Sequence, residues 1–136
     1  PLVTDPKRSA GGWIPRLGEP KELPPWLTQE NLDYFVAEFE RAGFRGGVNY
    51  YRNFHRNWET MPEFADLKCN TPTLFIAGEK DPVIRRSDAE TLKRIMADAV
   101  PGLKDVIVYP EAGHWIQQER AEQVNDALLN FLQTHS

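Results

Sequence analysis

Two side chains in this sequence have the type and setting for acid–base chemistry. His114 sits in Gly113-His114-Trp115, just after the apolar run Val106-Ile107-Val108-Tyr109. Asp81 sits in Gly78-Glu79-Lys80-Asp81-Pro82, just after Thr73-Leu74-Phe75-Ile76-Ala77. A histidine can take up a proton near neutrality because the ordinary imidazole pKa is about 6.5. A carboxylate behind it fixes the tautomer and stabilises the imidazolium. Taken singly, an Asp before Pro is usually a turn residue and a Gly-His pair has no special meaning. Taken jointly, at matched ends of two apolar runs, they read as an acid–histidine pair. Glu79 competes with Asp81 for the acid role from a position nearer the run. His55, within a helical stretch, and His135, at the chain end, lack such a setting.

The elements that must position the pair follow from the pattern around it. The short apolar runs 73–77 and 105–109 are expected to be strands buried on both faces, the mark of a parallel sheet. Leu92, Ile95, Met96 and Ala99 draw an amphipathic helix over roughly 87–98, so the order strand–helix–strand makes one right-handed crossover. A last helix over roughly 117–133 places Val124, Ala127, Leu128, Phe131 and Leu132 on one face. In open α/β sheets the C-terminal strand edge gathers ligands and catalytic groups, and both Asp81 and His114 fall there. Acid followed by histidine is also the second half of the nucleophile–acid–histidine order of α/β-hydrolases. No nucleophile for the pair is recognisable in the sequence.

Upstream the chain changes character. Residues 1–27 carry Pro at positions 1, 6, 15, 20, 24 and 25 with Gly11-Gly12 between them, which predicts an extended wrapping segment or linker. Trp13, Ile14, Leu17 and Trp26 give it something to pack. Thr28 has the type and place of an N-cap. A helix over 29–42 follows, with Leu32, Phe35, Val36 and Phe39 on one face and Gly43 as its stop. Gly46-Gly47 predicts a second break. The stretch from Val48 to Glu59 reads as one helix rich in aromatic and polar groups, suited to a surface that meets both solvent and a cavity, and Met61-Pro62 ends it. The chain therefore divides near residue 65.

Composition narrows the function classes. A chain of 136 residues fits one domain and can bury a core. Its 16 basic and 20 acidic residues give −4 with the charges interspersed, which does not suggest nucleic acid or an anionic membrane as partner. The single cysteine, Cys69, excludes an intramolecular disulfide and a cysteine-rich metal site. There is no signal-peptide pattern and no apolar run long enough for a membrane span, in keeping with the cytoplasm. Pro1-Leu2-Val3, without a methionine, reads as a start in mid-chain.

The run Gly43-Phe44-Arg45-Gly46-Gly47-Val48-Asn49-Tyr50-Tyr51-Arg52-Asn53, followed by Arg56-Asn57-Trp58, resembles the lid segment of soluble-type epoxide hydrolases. Ala77-Gly78-Glu79-Lys80-Asp81 and Gly113-His114-Trp115 resemble their acid and histidine motifs. The resemblance covers about residues 28–134, and the lid motif is its specific part. It implies the C-terminal part of an α/β-hydrolase fold, parallel strands with flanking helices, preceded by part of a helical lid. Residues 1–65 would be the C-terminal portion of the lid with its proline-rich lead-in, and 66–136 the last strands and helices of the core.

By the same resemblance, Tyr51 matches a lid tyrosine that hydrogen-bonds and protonates the epoxide oxygen, Asp81 the acid that orients the histidine, and His114 the base that activates water. A phenol, with an ordinary pKa of about 10, is a sensible donor to an oxygen becoming alkoxide. Tyr50 is the packing candidate beside it. Trp115 and Phe54 are the aromatics expected against the substrate. The implied partners are a small apolar epoxide, water and the missing N-terminal half of the fold, with no organic cofactor and no metal. The family's nucleophilic aspartate, its oxyanion loop of His-Gly-x-Pro type and its second lid tyrosine have no counterpart here. Another α/β-hydrolase, such as a haloalkane dehalogenase or an esterase, and a non-catalytic binding module derived from a hydrolase are the alternatives.

Overall fold

A computed structural model of the chain describes residues 20–135. These fall into two compact units, one ending at Glu38 and the other running from Phe39 onward.

Residues 20–28 form no helix or strand, as the proline density predicts; Trp13, Ile14 and Leu17 lie outside the described residues. Helix α1 (Gln29–Ala42) then begins where the sequence puts it. The Thr28 hydroxyl accepts a hydrogen bond from the backbone N–H of Asn31 at 3.2 Å, satisfying one of the orphan donors of a helix start. The helix stops at Gly43, whose φ of +68° is left-handed and whose N–H bonds the carbonyl of Phe39 at 2.8 Å. The expected apolar face of α1 is present but largely open: Phe35, Val36 and Phe39 are all exposed.

Helices α2 (Arg45–Arg52) and α3 (Phe54–Thr60) replace the single helix expected over 48–59. The Gly46-Gly47 pair does not break the chain but forms part of the first turn of α2. A glycine in a helix costs about 1 kcal/mol relative to alanine, which is a tax on the helix and not a prohibition. The interruption falls at Asn53, whose side-chain amide donates to the carbonyl of Asn49 at 2.9 Å, a carbonyl that also accepts from the Asn53 backbone N–H at 3.1 Å. Met61 closes α3, and Pro62–Phe64 make a 3-10 turn.

The C-terminal part is a parallel β-α-β unit extended by helices. Strand β1 (Thr73–Gly78) pairs in parallel with β2 (Leu103–Tyr109), Ile76 opposite Ile107 and Gly78 opposite Tyr109. Between them runs α4 (Ala89–Met96), shorter at both ends than expected. Asp88 caps it by accepting from the N–H of Thr91 at 2.8 Å, and that bond holds the Asp88 carboxyl below its usual range. The strands are not buried on both faces: of the two, only Ala77, Gly78 and Val106 are buried. The described sheet has two strands, with Phe75, Ala77, Val106 and Val108 packed on one side and Ile76 and Tyr109 on the other, and it stays half-open on both.

One cluster packs Ala77, Ile84, Leu92 and Val106 under α4. A second packs Ala112, Ile116 and Val124. The last helix is interrupted too, as α5 (Ile116–Glu119) and α6 (Ala121–His135). At the break, Arg120 turns its guanidinium to the carbonyls of Glu119 and Pro110 at 2.9 and 3.2 Å. Among the described residues no helix is long and apolar enough to cross a membrane.

Candidate active site

The loops leaving β1 and β2 are sewn together by their backbones. The N–H of Glu79 donates to the carbonyl of Tyr109 at 2.9 Å, and that of Lys80 to the carbonyl of Ala112 at 2.8 Å. Gly78 makes the approach possible: a Cβ there would stand 2.3 Å from the carbonyl oxygen of Gly113 and 2.4 Å from that of Ala112. Ala112 is fully buried beneath this junction. Glu111 adopts a left-handed φ of 57°. Its N–H bonds Glu79 Oε2 at 3.1 Å, and its carboxylate pairs with Lys80 Nζ. The hydrogen bond from Lys80, together with the lysine's charge, holds the Glu111 carboxyl below the usual carboxylate range.

This scaffold brings Asp81 and His114 together. Asp81 Oδ2 lies 2.9 Å from His114 Nδ1. Oδ1 of the same carboxylate accepts from the N–H of Val83 at 2.8 Å, a local turn bond that fixes which oxygen faces the ring. The Asp81 side chain is only 11% exposed, whereas that of His114 is 54% exposed. The acid is therefore enclosed and the imidazole reaches solvent. Glu79, the competing acid, spends its carboxylate on the Glu111 N–H, so Asp81 is the one that meets the ring. Trp115 stands edge-on to His114 with centroids 5.4 Å apart, at the rim of the same loop.

Sequence reasoning passed over Glu119. Its Oε2 accepts from the N–H of Gly113 at 2.7 Å and its Oε1 from that of Trp115 at 3.0 Å. The two amides flanking His114 are thus held by one carboxylate. The only sequence signal is an acid five residues past the histidine, at the end of a helix one turn long, where it can fold back on the helix start.

Tyr51 lies on α2 with its side chain largely exposed, 73% for the residue. Its ring meets Phe54 edge-on at 5.6 Å, so two of the expected site residues touch each other. Neither is brought against Asp81 or His114. Two open clefts run along α2 and α3. One, of about 770 Å³, is lined by Trp58, Met61 and Phe64 among others, and the second, of about 320 Å³, by Asn49, Tyr50 and Phe54 among others. The other histidines do what their settings suggest: His55 pairs with Glu59, and His135 stacks on Phe131. Among the described residues no group of three His, Cys, Asp or Glu is placed to hold a metal.

A parallel crossover with an acid and a histidine at adjacent C-terminal strand ends is an α/β-hydrolase arrangement. The sequence matches the alpha/beta hydrolase family over residues 2–127, and the chain belongs to that family. Within it, the chain is similar to proteins named for one activity. It is 46% identical over 121 residues to Epoxide hydrolase A of Mycobacterium tuberculosis, covering 89% of this chain and 36% of that protein. It is 36% identical over 118 residues to Epoxide hydrolase 1 of Siraitia grosvenorii, covering 85% and 38%. The crystal structure of Epoxide Hydrolase A from Mycobacterium thermoresistibile superposes with a TM-score of 0.79 at 42% identity, covering 97% of this chain and 42% of that one. The chain thus spans between about a third and two-fifths of the length of these relatives.

Proposed function

We propose that this chain is the C-terminal part of an epoxide hydrolase, carrying the lid tyrosine, the orienting acid and the base, and that the nucleophile comes from a preceding portion of the fold. The observation that carries the reading is the 2.9 Å contact of Asp81 Oδ2 with His114 Nδ1. It engages one ring nitrogen and leaves Nε2 of a half-exposed imidazole free to take a proton from water. Similarity to proteins named epoxide hydrolase, together with the lid motif around Tyr51, selects the epoxide over the other substrates of this family.

The chemistry has two steps. A carboxylate oxygen outside this chain attacks one epoxide carbon, the ring C–O bond opens, and the developing alkoxide is protonated by Tyr51. The product is a hydroxyalkyl ester. His114 then takes a proton from water as the hydroxide adds to the ester carbonyl. Collapse expels the second oxygen of the diol, and the imidazolium returns its proton to that oxygen. The remaining proton of the added water goes to the Tyr51 phenolate, so that carboxylate and phenol are both restored. Asp81 holds the Nδ1–H tautomer and stabilises the imidazolium throughout. Trp115 and Phe54 offer apolar surface to the substrate, and the only other reactant is water. Residues 1–65 form the end of the lid, residues 66–136 the end of the core, and the cytoplasm is the location assigned to this reading.

The experiment is a comparison of two preparations. The 136-residue chain alone releases no diol from a small apolar epoxide. The same chain, co-expressed with the part of the Mycobacterium tuberculosis relative that precedes the matched segment, does release it. Diol release by the lone chain that disappears in His114→Ala would overturn the division of labour. A complemented protein that turns over haloalkanes or esters but no epoxide would transfer the chain to another branch of the family.

A further inference from the structure

We infer that Glu119 is a positioning residue for His114, acting through the backbone of the histidine loop; the inference rests on the reading of His114 as the water-activating base. His114 sits between Gly113 and Trp115, and the N–H groups of both end on the one carboxylate, at 2.7 and 3.0 Å. Two charge-assisted bonds to the amides on either side of a residue fix its Cα more tightly than either would alone. Among the described residues the ring itself has a single polar anchor, the Asp81 oxygen, and the side chain is half exposed. Its aim therefore depends on where the loop holds the Cα.

The fit around Glu119 is close. A Cβ on Gly113 would stand 3.0 Å from Oε1 and 3.4 Å from Oε2, so the carboxylate lies directly under the backbone of the loop. The far end of the same residue is also tied down: its carbonyl accepts from Arg120, which reaches on to Pro110 before the loop. Glu119 thereby joins the end of α5 to the segment carrying the base. Glu119 acts through the N–H groups of Gly113 and Trp115, the residues on either side of the base.

A glutamine is the discriminating substitution. It keeps the shape but offers one acceptor, so one of the two amides would face an NH2 group. In the complemented protein, Glu119→Gln slows ester hydrolysis and leaves ring opening alone. kcat falls about 10- to 100-fold, the scale of a small misplacement of a catalytic group, and KM falls with it while kcat/KM holds. Glu119→Ala goes further in the same direction. Loss of folded protein alone lowers kcat with KM unchanged, and that pattern in both variants overturns the inference.

A second readout is independent of turnover. The imidazole 15N shifts of His114 report one tautomer in the parent protein and a mixture in Glu119→Gln, because a ring released from Asp81 samples both. Unaltered shifts in Glu119→Gln overturn the positioning role. If the complemented parent turns over no epoxide, the functional reading fails, and these shifts still judge Glu119.

Discussion

Asp81 gives one oxygen to the ring of His114 and the other to the N–H of Val83. That division makes Asp81→Asn informative, since an amide fits the same space but turns either its NH2 or its oxygen to the ring. With the Val83 N–H holding the oxygen, the NH2 faces His114 Nδ1, and the imidazole is driven to the tautomer that cannot accept at Nε2. In the complemented protein kcat is expected to fall by about 10²- to 10⁴-fold with little change in folded content. An unchanged kcat would mean that Asp81 serves the turn and not the base.

A second expectation at this scale concerns pH. The Glu111 carboxyl is held below its ordinary range by Lys80, and the Asp88 carboxyl by the Thr91 N–H. Groups with a depressed folded-state pKa stabilise the fold above their unfolded pKa, and that help fades as pH falls through the folded value. Lys80→Met should therefore lower the thermal midpoint near pH 7 and leave it unchanged well below the carboxylate range. A deficit of equal size at both pH values would point to lost packing instead.

The pair itself was legible because both residues follow apolar runs and occur in the order acid, then histidine. The choice of Asp81 over Glu79 was less open than spacing alone suggested: Glu79 is needed at the left-handed Glu111. Glu119 left almost no trace, since nothing in residue type marks a side chain that doubles back.

At the scale of elements, Gly78 is where sheet and site become one problem. The two strand-end loops touch only because no side chain stands between them. Gly78→Ala must push a methyl group into the backbone carbonyls of Ala112 and Gly113, which cannot rotate away. Overpacking of this kind costs about 1–3 kcal/mol, and relief by spreading the loops separates Asp81 from His114. The expected result is a lower thermal midpoint and a loss of activity larger than the loss of folded protein. Activity proportional to folded protein would show that the loops part without disturbing the pair.

Parallel pairing, the crossover helix and the caps at Thr28 and Gly43 were readable because each has a local cause. The interruptions were not. The first falls at Asn53, whose side chain bonds the carbonyl of Asn49, and the second at Arg120, whose guanidinium reaches the carbonyl of Pro110. In both places a polar side chain bonds a nearby backbone carbonyl, and the residue types on either side do not mark the break. Gly46-Gly47 is the converse case: a propensity penalty of about 1 kcal/mol per residue does not stop the helix there.

At the scale of the whole molecule, the described chain leaves a great deal of apolar surface open. Phe35, Val36 and Phe39 on α1, Tyr50, Phe54 and Trp58 on α2 and α3, and Leu128, Leu129 and Leu132 on α6 are exposed. Patches on that scale mark surfaces meant to be covered, and a two-stranded sheet offers unpaired edges. The strands were expected to be buried on both faces because their sequences are apolar throughout. They are half-buried because the described chain supplies only part of what such strands pack against. The lone chain should therefore melt over a broad range, while the complemented protein melts sharply and stays soluble. A sharp cooperative transition in the lone chain would contradict this.

The central claim is that His114 discharges an ester formed on a residue outside this chain. It is tested most directly by intact mass of the complemented protein carrying His114→Ala, after incubation with a small epoxide. The account predicts a stable adduct with the mass of the whole epoxide, borne by the preceding portion and absent when His114 is intact. No adduct, or an adduct on the 136-residue chain itself, would contradict it.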